Sequence, residues 1–258
     1  MKWVIFFALV IGAATAILFT VFSHWDMTIA GYFFSERRGF SIAAAGWAKH
    51  VRTAANWIPW LFAGPAFAAV ILKLIFPAGR MFMPARAAVL LAATMALGPG
   101  LMVNGILKEH WGRPRPVHVD TFGGSHVFKP WYRSDGTCPT NCSFVSGEGA
   151  LGFWLVAPAS LVPGPAGAVA MVAAVSFGAL AGGLRIAFGG HFFTDVVFSG
   201  VLVILLIAAT RWLLFDRPRA PDDAGIEAAI GRAGTALRTG AASLWRRLRA
   251  RPAVPPPG

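Results

Sequence analysis

From Ala166 to Phe215 the chain reads AGAVAMVAAVSFGALAGGLRIAFGGHFFTDVVFSGVLVILLIAATRWLLF. Two apolar runs, Ala166 to about Phe188 and Phe192 to Phe215, each reach the ~20 residues a helix needs to cross the hydrocarbon layer. A helix suits that layer because it satisfies its own backbone polar groups. Between the runs lies a Gly189-Gly190-His191 turn flanked by Arg185 and Asp195. Ionisable groups inside or at the ends of membrane spans are expensive and ask for a reason. This stretch therefore predicts membrane helices, with a polar junction that has chemical work to do.

Composition extends the reading to the whole chain. With 56% hydrophobic and 13% charged residues over 258 positions, the apolar surface exceeds what one water-soluble core of this length would hide. Further spans are predicted at Trp3 to Phe22, Trp57 to Phe76, Ala87 to Leu107 and Phe144 to Val162. The first is longer than a signal-peptide core and no small-x-small cleavage site follows it, so it is read as uncleaved. Trp57, Trp60, Trp111, Trp131, Trp154 and Trp212 lie at or beside the ends of the runs, where amphipathic rings favour the lipid–water boundary.

The expected fold is all-α: a six-span bundle over residues 1–215 and a basic tail over 216–258. The segment from Ser23 to Asn56, carrying Arg37, Arg38, Lys49 and Arg52, reads as a loop with an interfacial helix. The Pro77-Ala78-Gly79-Arg80 turn and Arg86 place positive charge on the cytoplasmic side. Nine arginines fall at or after Arg211 and explain much of the net charge of +12. They fit a cytoplasmic tail touching anionic headgroups of membrane lipids. A nucleic-acid partner is not expected, because no folded basic domain is present. From Ala220 the tail allows one amphipathic surface helix and ends in a proline run expected to be disordered. With six spans both termini are cytoplasmic, and the polar loop Lys108 to Ser143 shares the outer face with the Gly189-Gly190 turn.

That loop holds the only cysteines, Cys138 and Cys142. A metal site would need more ligands, for which His118 and His126 are the nearby candidates. A local disulfide in an oxidising compartment is the favoured reading, and no metal is expected.

Three clusters carry chemistry. Lys108-Glu109-His110-Trp111-Gly112-Arg113-Pro114-Arg115-Pro116 begins where the third span ends, and its bland reading is a snorkelling basic turn. Phe144-Val145-Ser146-Gly147-Glu148-Gly149 opens the fourth span and by itself reads as a helix cap with an acidic first turn. Arg185 through Asp195 bridges the fifth and sixth spans. One topology brings all three to the same membrane face, and that coincidence outweighs the bland readings. His191 and Asp195, four apart, share a helix face, so the carboxylate is expected to hold one ring nitrogen and leave the other free to attack. Lys108, Arg115 and Arg185 offer cationic donors to a phosphoryl group, and Ser146 and Gly147 add neutral ones at a helix N-terminus.

These residues resemble the type-2 phosphatidic acid phosphatase superfamily of membrane lipid phosphatases. Lys108, six residues, Arg115-Pro116 is similar to its first motif, Ser146-Gly147 to the core of its second, and Arg185, five residues, His191, three residues, Asp195 to its third. The resemblance covers 108–195 by motif. It implies a cofactor-free phosphatase working through a phosphohistidine on His191, oriented by Asp195, with phosphate held by Lys108, Arg115, Ser146, Gly147 and Arg185.

The chain departs from the family pattern at three places. Val145 stands for Pro, Leu184 for Ser, and Glu148 for the histidine that protonates the leaving oxygen. Glu148 is carried forward as the proton donor, kept protonated by bound phosphate, with His110, His118 and His126 as alternatives. The Ser-Gly-Glu variant and the cysteine-bearing loop look similar to bacterial lipid A phosphatases of the inner membrane, whose site faces the periplasm. Polyprenyl pyrophosphate, phosphatidylglycerophosphate and phosphatidic acid remain as other phospholipid substrates. Outside hydrolysis, a lipid phosphotransferase and a non-catalytic lipid-phosphate-binding protein are the alternatives.

Overall fold

The computed structural model describes residues 1–249, and all regular structure among them is helical. The helices are α1 (Lys2–Val21), α2 (His24–Gly31), α3 (Ser41–Ala44), α4 (Gly46–Ile75), α5 (Ala85–His110), α6 (Gly147–Phe153), α7 (Val156–Ala159), α8 (Gly164–Ala187), α9 (Phe193–Asp216) and α10 (Asp223–Arg249). Among the described residues five, α1, α4, α5, α8 and α9, are long and apolar enough to cross a membrane. Their outward faces carry bare apolar side chains such as Phe6, Ile17, Leu61, Val169 and Leu180. Water would penalise such a surface and lipid does not. This is a multi-pass membrane protein.

The expected fourth span is where the structure differs from the sixfold expectation. Phe144 to Val162 forms not one long helix but α6 and α7, of seven and four residues. Pro158 has no N–H to return to the carbonyl of Trp154. That carbonyl accepts instead from Ala157 N at 2.8 Å, a tighter turn that interrupts the column. From Gly147 to Ala159 the pair rises only about 20 Å at the helical rise per residue, short of the ~30 Å hydrocarbon core.

The pair lies among the long helices: α6 packs on α8, α9 and the wide last turns of α5. A Cβ on Gly152 would sit 2.9 Å from Gly178 Cα, so α6 and α8 cross with their backbones nearly touching. Trp154 is fully buried and its Nε1 donates to Thr94 Oγ1 at 2.9 Å, fixing the break against α5.

Two more boundaries move. The second span was expected from Trp57, yet α4 starts at Gly46 and runs 30 residues, about 45 Å. The apolar run marks only the part that fits hydrocarbon; Lys49, Arg52 and Asn56 continue the helix beyond it. The segment before it contributes α2, whose Asp26 is buried instead of interfacial.

α10 packs on α4 and α5, where Glu227 Oε1 accepts from Lys73 Nζ at 3.1 Å and Met81 N at 3.0 Å, and Asp223 Oδ1 from Arg86 N at 2.8 Å. These contacts use the C-terminal end of α4 and the N-terminal end of α5, opposite to the end that carries Arg52 and Lys108. The proline run lies outside the described residues.

Candidate active site

The site is organised around an arginine. Arg113 is fully buried, and its guanidinium reaches Asp26 Oδ2 at 2.7 Å, Asp195 Oδ1 at 2.5 Å, Thr194 Oγ1 at 2.8 Å and the Lys129 carbonyl at 2.9 Å. Its plane also lies over Phe192, 4.3 Å from the ring centre. Asp26 accepts from Thr194 N and Oγ1 at 3.1 and 2.6 Å. Two ion pairs that share Arg113, and their hydrogen bonds, thus tie α2, the 111–146 loop and the first turn of α9 together. Buried ions of this kind persist only when each polar atom finds a partner.

His191 stands on this frame. The turn before it uses Gly189 at φ +65°, a conformation that suits glycine, to send the chain from α8 into α9. The ring is buried, and Nδ1 lies 2.7 Å from the Ser143 carbonyl. Asp195 Oδ2 is 3.8 Å from the same nitrogen, beyond hydrogen-bond range. The expectation that Asp195 grips the ring directly is therefore corrected. A carbonyl only accepts, so Ser143 assigns the proton to Nδ1 and leaves Nε2 its lone pair.

The carboxylate of Asp195 accepts from Ser143 Oγ at 2.5 Å and Phe192 N at 2.8 Å, and so acts from one step back. Burial lowers the His191 pKa to about 4, with Asp195 opposing and the cations Arg185 and Lys108 assisting. The ring is therefore neutral at physiological pH.

Lys108, Arg115 and Arg185 come from α5, the loop and α8. Asn141, at φ +50°, presents its side-chain oxygen to Arg115 Nη2 at 2.6 Å and to Lys108 Nζ at 3.4 Å. Arg115 also takes the Asn141 carbonyl at 2.8 Å. Ser146 caps α6, its Oγ accepting from Gly149 N at 3.1 Å, as the cap reading expects. A Cβ on Gly147 would meet Lys108 Nζ at 2.9 Å and Asn104 Oδ1 at 3.0 Å, so the first turn of α6 lies directly against these two side-chain tips of α5. The guanidinium of Arg185 lies against Gly190 in the same way.

Glu148 is shared between two guanidinium groups. Arg52 Nε lies 2.9 Å from both carboxylate oxygens and its Nη2 2.5 Å from Oε1, while Arg185 Nε is 3.3 Å away.

Comparison with known proteins gives the chain a family. The family model described as PAP2 superfamily matches residues 87–219. A lipid A 4′-phosphatase of Francisella tularensis subsp. novicida is 35% identical over 207 residues, 77% of this chain and 88% of the relative. The chain belongs to the PAP2 superfamily.

Two further proteins named lipid A 4′-phosphatase are similar over about half their length. That of Rhizobium leguminosarum is 42% identical over 118 residues, 45% of this chain and 50% of the relative. That of Rhizobium etli is 44% identical over 117 residues, 45% of each. No solved structure matches. As a PAP2 protein with these relatives, the chain is an enzyme, a phosphoric monoester hydrolase.

The structure brings Lys108, Arg115, Ser146, Gly147, Glu148, Arg185, His191 and Asp195 to one end of the bundle. Cys138 and Cys142 are joined as a disulfide in the loop beside them, so neither offers a free thiolate. His110, exposed, turns Nδ1 to the Ile106 carbonyl at 2.8 Å, and His126 turns its own to Thr137 Oγ1 at 2.6 Å.

Sequence reasoning gave no place in the site to Asp26, Arg52, Arg113, Asn141 or Ser143; Asn141-Cys142-Ser143 matches only a three-residue glycosylation sequon. Arg113 sits inside the first PAP2 motif but off its spacing. The one available signal for Asp26 was a carboxylate just after the first span. Ser143 acts on His191 through its backbone, where sequence carries no signal.

Proposed function

We propose that this protein removes a phosphate monoester from lipid A at the periplasmic face of the bacterial inner membrane, with His191 Nε2 as nucleophile. The observation that carries the reading is the His191 arrangement: Nδ1 on the Ser143 carbonyl, a buried neutral ring, and Lys108 and Arg185 close enough to act on it. The relatives' shared name supports the substrate. In the first step Nε2 bonds to phosphorus as the sugar–oxygen bond to phosphorus breaks. Lys108, Arg115, Arg185 and the hydroxyl of Ser146 hold the equatorial oxygens, where charge spreads. The leaving oxygen takes its proton from Glu148. That carboxyl can carry one on Oε2 when the substrate phosphate draws Arg185 away and adds negative charge beside it, while Arg52 Nε and Nη2 keep their hydrogen bonds to Oε1. Water then gives a proton to the ionised Glu148 and bonds to phosphorus as the phosphorus–Nε2 bond breaks, which releases inorganic phosphate and restores His191 and the protonated Glu148.

The orientation rests on the arginine-rich tail, docked at the end away from His191, and on the positive-inside tendency. On this reading the whole segment from Phe144 to Val162, with its short broken helices and their flanks, carries the chain to the opposite end, where the Ser160 carbonyl accepts from Arg211 Nη1 at 2.5 Å, and both termini are cytoplasmic.

Phosphate release from lipid A, undecaprenyl pyrophosphate, phosphatidylglycerophosphate and phosphatidic acid by detergent-purified protein in EDTA tests the proposal beside His191→Ala. Lipid A should be cleaved fastest, without an acceptor lipid, and the variant should be at least about a thousandfold slower. Preference for another lipid would overturn the substrate. Undiminished release by His191→Ala would overturn the nucleophile.

A further inference from the structure

A cleft of about 530 Å³ opens beside Lys108 and Glu148, between α4, α5 and α6. Its α4 wall is a polar and aromatic stripe in an otherwise apolar helix: Arg52, Asn56 and Trp60 at four-residue steps share one face, with Trp57 beside them. Asn104, one turn before Lys108, faces them from α5. Side-chain amides at membrane depth are costly and ask for a use.

Asn104 spends one donor on the Pro99 carbonyl at 2.6 Å and keeps its oxygen, which reaches towards Gly147. The Asn56 amide has no partner among the described residues. Trp57 and Trp60 are both exposed. The volume falls in the range of sites that bury a drug-sized group.

We propose that this cleft is a saccharide subsite, holding the pyranose ring that bears the scissile phosphate; the inference rests on the reading of the substrate as a phosphorylated lipid sugar. In-plane amides match ring hydroxyl and acylamino groups, and an indole face covers the C–H face of a pyranose. The glycerol of phosphatidic acid, acylated at both remaining oxygens, offers no free hydroxyl to Asn56 and Asn104. The allylic end of a prenyl pyrophosphate has no hydroxyls for Asn56 and Asn104. Bidentate Arg52 at the mouth fixes Glu148 at the junction of ring and phosphate, where the leaving oxygen belongs.

Two measurements test it. In Asn56→Ala and Trp60→Ala, the ratio of kcat/KM for lipid A to that for p-nitrophenyl phosphate should fall about tenfold or more, mainly through KM. An unchanged ratio overturns the subsite. Independently of turnover, a phosphate-free glucosamine disaccharide should quench the tryptophan fluorescence of the wild type and fail to do so in Asn56→Ala. Disaccharide binding without lipid A cleavage would sink the substrate reading and keep the subsite. Lipid A cleavage with neither quenching nor a change of ratio would do the reverse.

Discussion

Arg113 Nη1 and Asp195 Oδ1 meet at 2.5 Å with no solvent exposure on either side chain. The pair joins the first PAP2 motif to the third, and through Nη2 it also holds Asp26. Removing the cation would leave two buried carboxylates unpaired. Arg113→Ala should therefore cost about 3–5 kcal/mol or more, enough to lower the yield of folded protein sharply. Arg113→Lys should rescue little, since an ammonium cannot reproduce the planar fork. Thermal unfolding in detergent measures both; an Arg113→Lys variant as stable as the wild type would show that the fork is dispensable.

Glu148 can be separated from its neighbours by the leaving group. Glu148→Gln should slow lipid A hydrolysis by about a hundredfold or more, because an alkoxide needs a proton. It should slow p-nitrophenyl phosphate far less, since that phenolate leaves unaided. Equal losses on both substrates would place Glu148 in organising Arg52 and Arg185 instead.

The low pKa of His191 predicts two pH effects. In the folded protein the ring stays neutral down to about 4, so formation of the phosphohistidine should hold through the mildly acidic range and fall only below it. In the unfolded chain the ring takes a proton near its ordinary 6.5. Between those values the unfolded state binds more protons, so stability is full above about 6.5 and lost progressively as pH falls to about 4. His191→Gln should flatten that part of a melting-temperature profile; an unchanged slope would assign it to other groups.

The disulfide closes a short loop whose residue Asn141 faces Arg115 and Lys108. A closure this short gives up to about 2 kcal/mol in the chain-entropy view. Its larger effect should be on the cations. Reduction, or Cys138→Ser with Cys142→Ser, should raise KM several-fold with a smaller change in kcat.

At the other end, Glu227→Ala with Asp223→Ala should release α10. Trypsin should then cut at Arg232 and Arg238 faster than in the wild type, while turnover changes little.

Much of the site is visible in the sequence because its residues recur at fixed spacing beside apolar runs: Lys108 to Arg115, and Arg185 to Asp195. What escapes is what only tertiary contact creates. Asp26 finds Arg113 across 87 positions, and Arg52 finds Glu148 across 96. The Ser143 carbonyl that sets the His191 tautomer is invisible in any side-chain pattern. The bundle was legible as helices, but the fourth run showed its length and hid its break, because one proline reroutes a hydrogen bond without altering hydropathy.

The Asn141 amide oxygen on Arg115 and Lys108, with the Glu148 carboxylate on Arg185, means that the cations expected to hold phosphate already have oxygen partners of the protein's own, one neutral and one charged. A phosphoryl group does not fall into an open well; it evicts two tenants, and its affinity is the difference between the two sets of contacts. On the proposed mechanism the same tenants return once the phosphoryl group is hydrolysed, so the exchange that moderates entry also helps push inorganic phosphate out.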